Sequence, residues 1–146
     1  MQKKIRHILA IAVSTLTMSA TIANADPATE RSELMKGVRE AAKPVGAMLR
    51  GDAEFDQERV MESLQVFADA ADKLGGLVPK GSEGGEAAPA IWEDPAGFQE
   101  AIDDWRQATT NAMEAQKTTL DQAGVALKPV FGSCKGCHDS YRIEEE

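Results

Sequence analysis

The residues best suited to chemistry lie near the end of the chain, in the run Cys134-Lys135-Gly136-Cys137-His138. Positions three and four apart share one face of a helix, so Cys134 would lie beside both Cys137 and His138. Two thiols at this spacing can form thioether bonds with the two vinyl groups on one edge of a porphyrin. The pattern Cys-x-x-Cys-His is the attachment motif of c-type haem. The sequence therefore predicts one haem c per chain, held by two thioether bonds, with His138 as the proximal axial ligand of the iron.

Three other interpretations of the two cysteines are weaker. A disulfide between residues three apart in a helix is strained and leaves His138 without a role. A structural zinc site needs four ligands, and the motif supplies three. A redox-active Cys-x-x-Cys pair is typical of a βαβ unit, and the sequence of this chain shows no strand pattern. The haem interpretation uses all three residues and is favoured.

The first 25 residues are predicted to be a secretion signal. They contain three basic and no acidic residues, an apolar stretch over residues 8–22, and the closing run Ala23-Asn24-Ala25. A basic start, an apolar centre and a small-x-small site are typical of a cleaved signal peptide, which we favour over an uncleaved membrane anchor. We therefore expect a periplasmic mature protein, residues 26–146, with no membrane attachment after cleavage.

Cleavage also limits the choice of a second axial ligand. His7 is removed with the signal, so His138 is the only histidine of the predicted mature protein. Two histidine ligands from one chain are thereby excluded. The candidates that remain are a lysine, water, no ligand, or one of four methionines: Met35, Met48, Met61 and Met113.

The charge of the chain narrows the range of partners. The full sequence has 16 Lys and Arg against 24 Asp and Glu, and losing three basic residues with the signal gives a net charge of −11. Such a surface repels nucleic acid and anionic lipid. We expect redox partner proteins with a basic docking face.

Four stretches of the mature chain carry the helical spacing of apolar residues: 34–49, 60–74, 98–113 and 120–141. This pattern predicts an all-α fold, an antiparallel four-helix bundle in a single domain. The segment 75–91 has Gly, Pro and Ser without a period, and is predicted to be the one long connection.

Residues at the ends of these stretches predict where the helices begin and end. Asp56 is expected to cap the second helix, and Asp94 before Pro95 the third. Thr119 with Gln122 predicts a capping box at the start of the fourth helix. Gly51 is expected to end the first.

The motif and its surroundings resemble a known family. The run Cys-Lys-Gly-Cys-His-Asp-Ser-Tyr-Arg at 134–142 is similar to the closing signature of the cytochrome c-prime family, the four-helix class of c-type cytochromes. The resemblance continues in Gly81–Gly85, in Ile91-Trp92, and in Arg31 followed by Leu34-Met35-Lys36. It implies either the high-spin or the low-spin, methionine-ligated branch of the family, and a tendency to form homodimers.

The resemblance also implies roles for individual residues. Cys134 and Cys137 match the thioether cysteines and His138 the proximal ligand. Arg142 matches an arginine beside the proximal face of the haem. Without the resemblance, Arg142 is simply a basic residue favoured by the negative end of a helix dipole.

Two residues of the first helix are matched in the same way. Arg31 matches a basic residue near the haem propionates, and Met35 falls at the distal position, on the other side of the iron from His138. From the residues alone, Arg31 is an exposed helix charge paired with nearby acids, and Met35 is a gap-filling core residue.

Met35 separates two functions. As an iron ligand it would give a six-coordinate, low-spin iron suited to one-electron transfer. If it only covers an open site, a five-coordinate iron can bind nitric oxide or carbon monoxide. A third hypothesis is a structural exported bundle without haem. No enzyme is predicted, because the only mature histidine is assigned to iron and no phosphate-binding loop is present.

Overall fold

Four long helices make up most of the structure, a computed structural model that describes residues 26–143. They are α1 (Pro27–Arg50), α2 (Gln57–Leu74), α4 (Pro95–Glu114) and α5 (Leu120–Tyr141), and a single turn of helix, α3 (Ala90–Glu93), precedes α4. Over the described residues the only strand-like pairing is an isolated antiparallel bridge between Ala87 and Arg142. The predicted all-α four-helix bundle is confirmed. The predicted signal, residues 1–25, lies outside the described residues.

Three of the four predicted helix ends are formed by the expected side chains or backbone. The Asp56 carboxylate accepts a hydrogen bond from the Arg59 N–H at 3.1 Å, and that of Asp94 from the Gly97 N–H at 3.0 Å. Each bond satisfies a backbone N–H that has no partner within its own helix. Gly51 ends α1 with a φ of 79°, a left-handed conformation that glycine adopts without strain.

The capping box at the start of α5 is only half correct. The Thr119 hydroxyl accepts from the Gln122 N–H at 3.3 Å, as predicted. The Gln122 side chain, however, accepts from the N–H of Thr118 at 3.0 Å rather than from that of Thr119. Because the Thr118 hydroxyl also donates to it, at 2.9 Å, Gln122 has two neighbouring donors one residue earlier in the chain.

The apolar faces of all four long helices meet in one core. Its largest fully buried apolar side chains are Phe67, Leu64, Ile102, Leu127, Val45, Val60 and Val130. Helix α2 packs against α1 and α4, and α4 packs closely against α5, whereas α1 and α5 have few contacts with each other. Around the ring α1–α2–α4–α5, the first and last helices therefore pack least closely.

The long connection runs back over the end of α5. It begins with a 3₁₀ turn, Gly75–Leu77, and later the Ala88 N–H donates to the Tyr141 carbonyl at 3.0 Å. The Ile143 N–H donates to the Glu86 carbonyl at 2.8 Å. These bonds fix the last turn of α5 against the connection. Among residues 26–143 no helix has the length and apolarity needed to cross a membrane.

Candidate haem site

The Cys-x-x-Cys-His motif lies on the last two turns of α5, as its spacing requires. Cys134, Cys137 and His138 are half-buried and line one cleft. The cleft also reaches α1, α2 and α4, and its lining is largely apolar. The other residues that line it are Met35, Val38, Leu74, Ala101, Ile102, Trp105 and Ser133.

The surroundings of the two thiols keep them protonated. Burial, with a smaller contribution from Cys137, raises the pKa of Cys134 to about 11, and burial also raises the pKa of Cys137. The thiolate is the form that attacks disulfides, so these shifts disfavour a redox-active pair. In the described part of the chain no group of three or more His, Cys, Asp and Glu residues could hold a metal ion.

His138 is held in the form that binds iron. Burial lowers the pKa of its imidazole, and the nearby Arg142 guanidinium lowers it further, while Glu86 and Asp139 act in the opposite direction. The net shift favours the neutral ring, whose free nitrogen lone pair is what a metal requires. The electrostatics of α5 thus agree with a ligand role for this imidazole.

Met35 lies in the same cleft as the motif. It is half-buried on α1 and lines the cleft across from α5. Met48, by contrast, is buried in the core, where its sulfur accepts from the Asp56 N–H at 3.4 Å, and neither Met61 nor Met113 lines the cleft. The structure therefore brings one of the four candidate methionines to the motif.

The surroundings of Arg31 differ from the description drawn from the residues alone. Its side chain is buried, with 6% of its surface exposed, and it has no carboxylate partner within salt-bridge distance among residues 26–143. The description as an exposed helix charge is therefore wrong. Four hydrogen bonds from its two terminal nitrogens lead to the connection: to the carbonyls of Leu77 (2.7 Å), Ser82 (2.8 Å) and Gly84 (3.2 Å), and to the Ser82 hydroxyl (3.2 Å).

Arg31 also stacks on an aromatic ring of the same region. Its guanidinium carbon lies 5.4 Å from the centre of the Trp92 ring, a cation–π distance. Because Arg31 does not line the cleft, its clearest role in the structure is to hold the connection to α1. The predicted contact between Arg31 and the haem propionates stays a prediction. The Nε–H of Arg31 makes none of the four hydrogen bonds above and could donate to a propionate.

Arg142 lies close to His138, and its predicted place beside the proximal face of the haem stays a prediction. Its backbone N–H donates to the His138 carbonyl at 3.2 Å and so closes the last turn of α5. Its side chain is exposed, and its charge lowers the pKa of the neighbouring imidazole. The dipole interpretation from the residues alone also fits this position, since Arg142 caps the negative end of α5.

Trp105 also lines the cleft, although its place in the sequence carries no functional signal. Its apolar spacing on the third long helix predicts a core position, and it is indeed buried, with 6% exposed. The indole also lines the cleft, and its Nε1–H has no hydrogen-bond partner among the described residues. Periodicity identifies the buried face of a helix but cannot show whether a buried N–H finds an acceptor.

The cleft fits a covalently bound haem. Two thiols on one helix face can reach one porphyrin edge, a neutral imidazole follows them, and apolar side chains form most of the remaining wall. The unpaired Trp105 N–H is further evidence of a cleft that accommodates a group beyond the chain's own side chains. No other interpretation of the motif accounts for all these features.

Comparison with known proteins gives a consistent result. A family model described as Cytochrome C′ matches residues 26–142. Cytochrome c′ of Rhodopseudomonas palustris is 37% identical over 97% of this chain and 99% of its own length. Cytochrome c-556 of the same organism is 28% identical over 97% of this chain and 99% of its own length.

Solved structures agree with the sequence matches. The structure of cytochrome c′ from Rhodopseudomonas palustris superimposes with a TM-score of 0.80, at 37% identity, over 84% of this chain and all of that one. A nitric oxide complex of a variant of cytochrome c prime from Alcaligenes xylosoxidans superimposes with a TM-score of 0.72, at 26% identity, over 82% of this chain and 98% of that one.

Proposed function

This chain belongs to the cytochrome c′ family and carries haem c, and we propose that it works in the periplasm as a one-electron carrier. The observation that carries the proposal is the single cleft that joins the Cys-x-x-Cys-His motif to a methionine of another helix. A bound haem supplies an iron that gains and loses one electron between its ferrous and ferric forms.

The chain's own residues have separate roles in this proposal. Cys134 and Cys137, which line the cleft, would hold the porphyrin by two thioether bonds, and the neutral imidazole of His138 would bind its iron. The apolar walls of the cleft keep water from the iron, which raises the reduction potential. Arg142 sits beside His138 and disfavours the imidazolium form.

Met35 is proposed as the distal ligand. Its thioether is the one methionine sulfur of residues 26–143 that belongs to a residue lining the cleft. Methionine opposite histidine stabilises the ferrous state and limits the rearrangement that accompanies electron transfer. Both effects suit a carrier that exchanges one electron at a time.

A second candidate function is the binding of nitric oxide or carbon monoxide. It applies if Met35 covers the distal face without coordinating the iron. Two observations favour it: the cleft has apolar walls that admit a small uncharged ligand, and a structurally similar relative has been obtained as a nitric oxide complex. A structural bundle without haem is the alternative of another class, and a colourless protein would identify it.

The setting proposed for this protein rests on the composition of residues 1–25 and on the net charge. Residues 1–25 are proposed to be a signal peptide and residues 26–146 the exported domain. An excess of acidic residues suits redox partners with a basic docking face, and the family resemblance suits a homodimer. No enzymatic reaction is proposed, because His138 is the only histidine of the exported domain and is assigned to the iron.

Absorption spectra of the purified protein test the proposal and separate its two forms. The ferric and ferrous states are measured with and without carbon monoxide. A low-spin ferrous spectrum that does not change with the gas is expected for the electron carrier with Met35 bound. A high-spin spectrum that shifts on adding carbon monoxide would replace it with the gas-binding function.

A further inference from the structure

One buried hydrogen-bond donor of the cleft lacks an acceptor. Trp105 is buried, with 6% of its surface exposed, and its Nε1–H has no partner among residues 26–143. Leaving such a group unpaired is unfavourable, so buried polar atoms nearly always find a partner. The only other unpaired buried side-chain atom in that range, the hydroxyl of Thr109, belongs to a residue that does not line the cleft.

The other polar side chains of the cleft are already engaged or assigned. The Ser133 hydroxyl donates to the Val130 carbonyl at 2.8 Å. The two thiols and the imidazole are assigned to haem attachment and iron. No lysine or arginine lines the cleft, so the indole of Trp105 is its one remaining donor.

The residues that line the cleft also limit the chemistry of the group that accepts the hydrogen bond from Trp105. An ionised haem propionate buried here would face no cationic side chain, and burial of an unpaired carboxylate is strongly unfavourable. A small uncharged ligand with an exposed oxygen carries no such penalty. An indole N–H among apolar side chains suits a ligand of that kind, since one neutral donor pairs with one neutral acceptor.

We propose that Trp105 is a ligand-binding residue, whose Nε1–H donates a hydrogen bond to the oxygen atom of a diatomic ligand, nitric oxide or carbon monoxide, held in the cleft. The inference rests on the second proposed function, gas binding. It adds a polar determinant of affinity to a cleft that is otherwise apolar.

Infrared spectroscopy of the ferrous, haem-loaded protein with carbon monoxide tests this directly, because hydrogen bonding to the oxygen weakens the C–O bond. The parent is wild type if it takes the gas, and otherwise Met35→Ala. Trp105→Phe is expected to move the C–O stretch to higher wavenumber. It is also expected to speed carbon monoxide dissociation roughly two- to tenfold, the loss of one ordinary hydrogen bond.

Trp92→Phe is the matched control. Its indole N–H donates to the Pro79 carbonyl at 3.2 Å and does not line the cleft, so its removal should leave the stretch unchanged. If Trp105→Phe does not fold, the hydrogen bond is tested in the parent protein by comparing its vibrational spectra in H₂O and D₂O. Deuteration of the indole N–H should shift the Fe–C and C–O stretching modes. Unshifted modes would count against the proposal.

The possible outcomes distinguish a failure of this inference from a failure of the proposed functions on which it rests. A protein without haem would overturn the family assignment of the site. Failure of both the wild-type protein and Met35→Ala to take carbon monoxide would end the gas-binding function and the Trp105 role together. If carbon monoxide binds and its C–O stretching wavenumber is the same in the parent and in Trp105→Phe, only the proposed role of Trp105 is overturned.

Discussion

Met35 and His138 line the same cleft, although they belong to the first and the last helix of the bundle. Helices α1 and α5 have few contacts with each other, so the space between them is where a planar cofactor disturbs the packing least. A thioether and an imidazole facing that space can serve a metal from two helices. On the proposed assignment, these two residues set the coordination of the iron.

Replacing Met35 by alanine should convert a low-spin iron into a high-spin iron that takes carbon monoxide, because the distal sulfur is lost. Absorption spectra of both redox states measure the change. Met61→Ala is the control, since Met61 is half-buried and packs on the core without lining the cleft. An unchanged spectrum in Met35→Ala would remove this residue from the iron's coordination.

Arg31→Ala should destabilise the fold. The change leaves three carbonyls and one hydroxyl of the connection without the donors they now have. Loss of a buried group with several charge-assisted bonds lowers the free energy of unfolding by about 2–4 kcal/mol. Urea denaturation followed by circular dichroism measures this loss.

Arg39→Ala supplies the comparison for Arg31, because the Arg39 side chain is 70% exposed and its one ion pair within residues 26–143 is with Glu40. Its replacement should change the free energy of unfolding by less than about 0.5 kcal/mol. Equal stabilities of the two variants would show that the buried network contributes nothing. A lowered stability with unchanged spectra would place Arg31 in the fold rather than at the iron.

Gly97→Ala should weaken the contact between the start of α4 and the end of α5. A Cβ atom at Gly97 would collide with the Asp94 carboxylate that caps α4, and would lie 2.6 Å from the Tyr141 hydroxyl. We expect a loss of about 2 kcal/mol in the free energy of unfolding, from the lost cap and the crowding.

Gly37→Ala is the matched substitution for Gly97, since a Cβ atom there meets nothing within 4 Å on the exposed side of α1. Alanine in a helix interior should raise the free energy of unfolding by about 0.5–1 kcal/mol. Thermal denaturation of both variants measures the contrast. If both substitutions changed the free energy of unfolding in the same direction, the steric explanation would be contradicted.

The features that the sequence predicted correctly are local ones. Helical spacing, the caps Asp56 and Asp94, and the terminal Gly51 depend on residues within a few positions of one another. The Cys-x-x-Cys-His motif is local as well, since one helix turn brings its members together. The short helix α3 was not predicted, because four residues are too few to show a period.

The features that the sequence could not give depend on distant partners. Arg31 bonds to residues 46 to 53 positions later, and nothing in its neighbours along the chain indicates that it is buried. Lys117 is buried in a similar way, with its ammonium donating to the carbonyls of Met113 and Ala115 at the end of α4. Such positions are decided by packing between elements, which periodicity does not report.

The two cysteines should contribute separately to haem attachment. Cys134→Ala is expected to keep a haem through Cys137 alone, because each thiol forms its own bond to one vinyl group. The ferrous pyridine complex then absorbs at longer wavelength, since one vinyl group stays conjugated with the ring. Ser133→Ala, one position earlier, should leave that spectrum unchanged. A Cys134→Ala spectrum identical to that of the wild type would show that this thiol is not bonded to the cofactor.

Intact mass spectrometry of the protein isolated from the periplasm and then denatured tests the central claim most directly. We expect a single species with the mass of residues 26–146 plus one haem, in which neither Cys134 nor Cys137 reacts with an alkylating reagent. A species with the mass of the polypeptide alone, in which both thiols are alkylated, would contradict it.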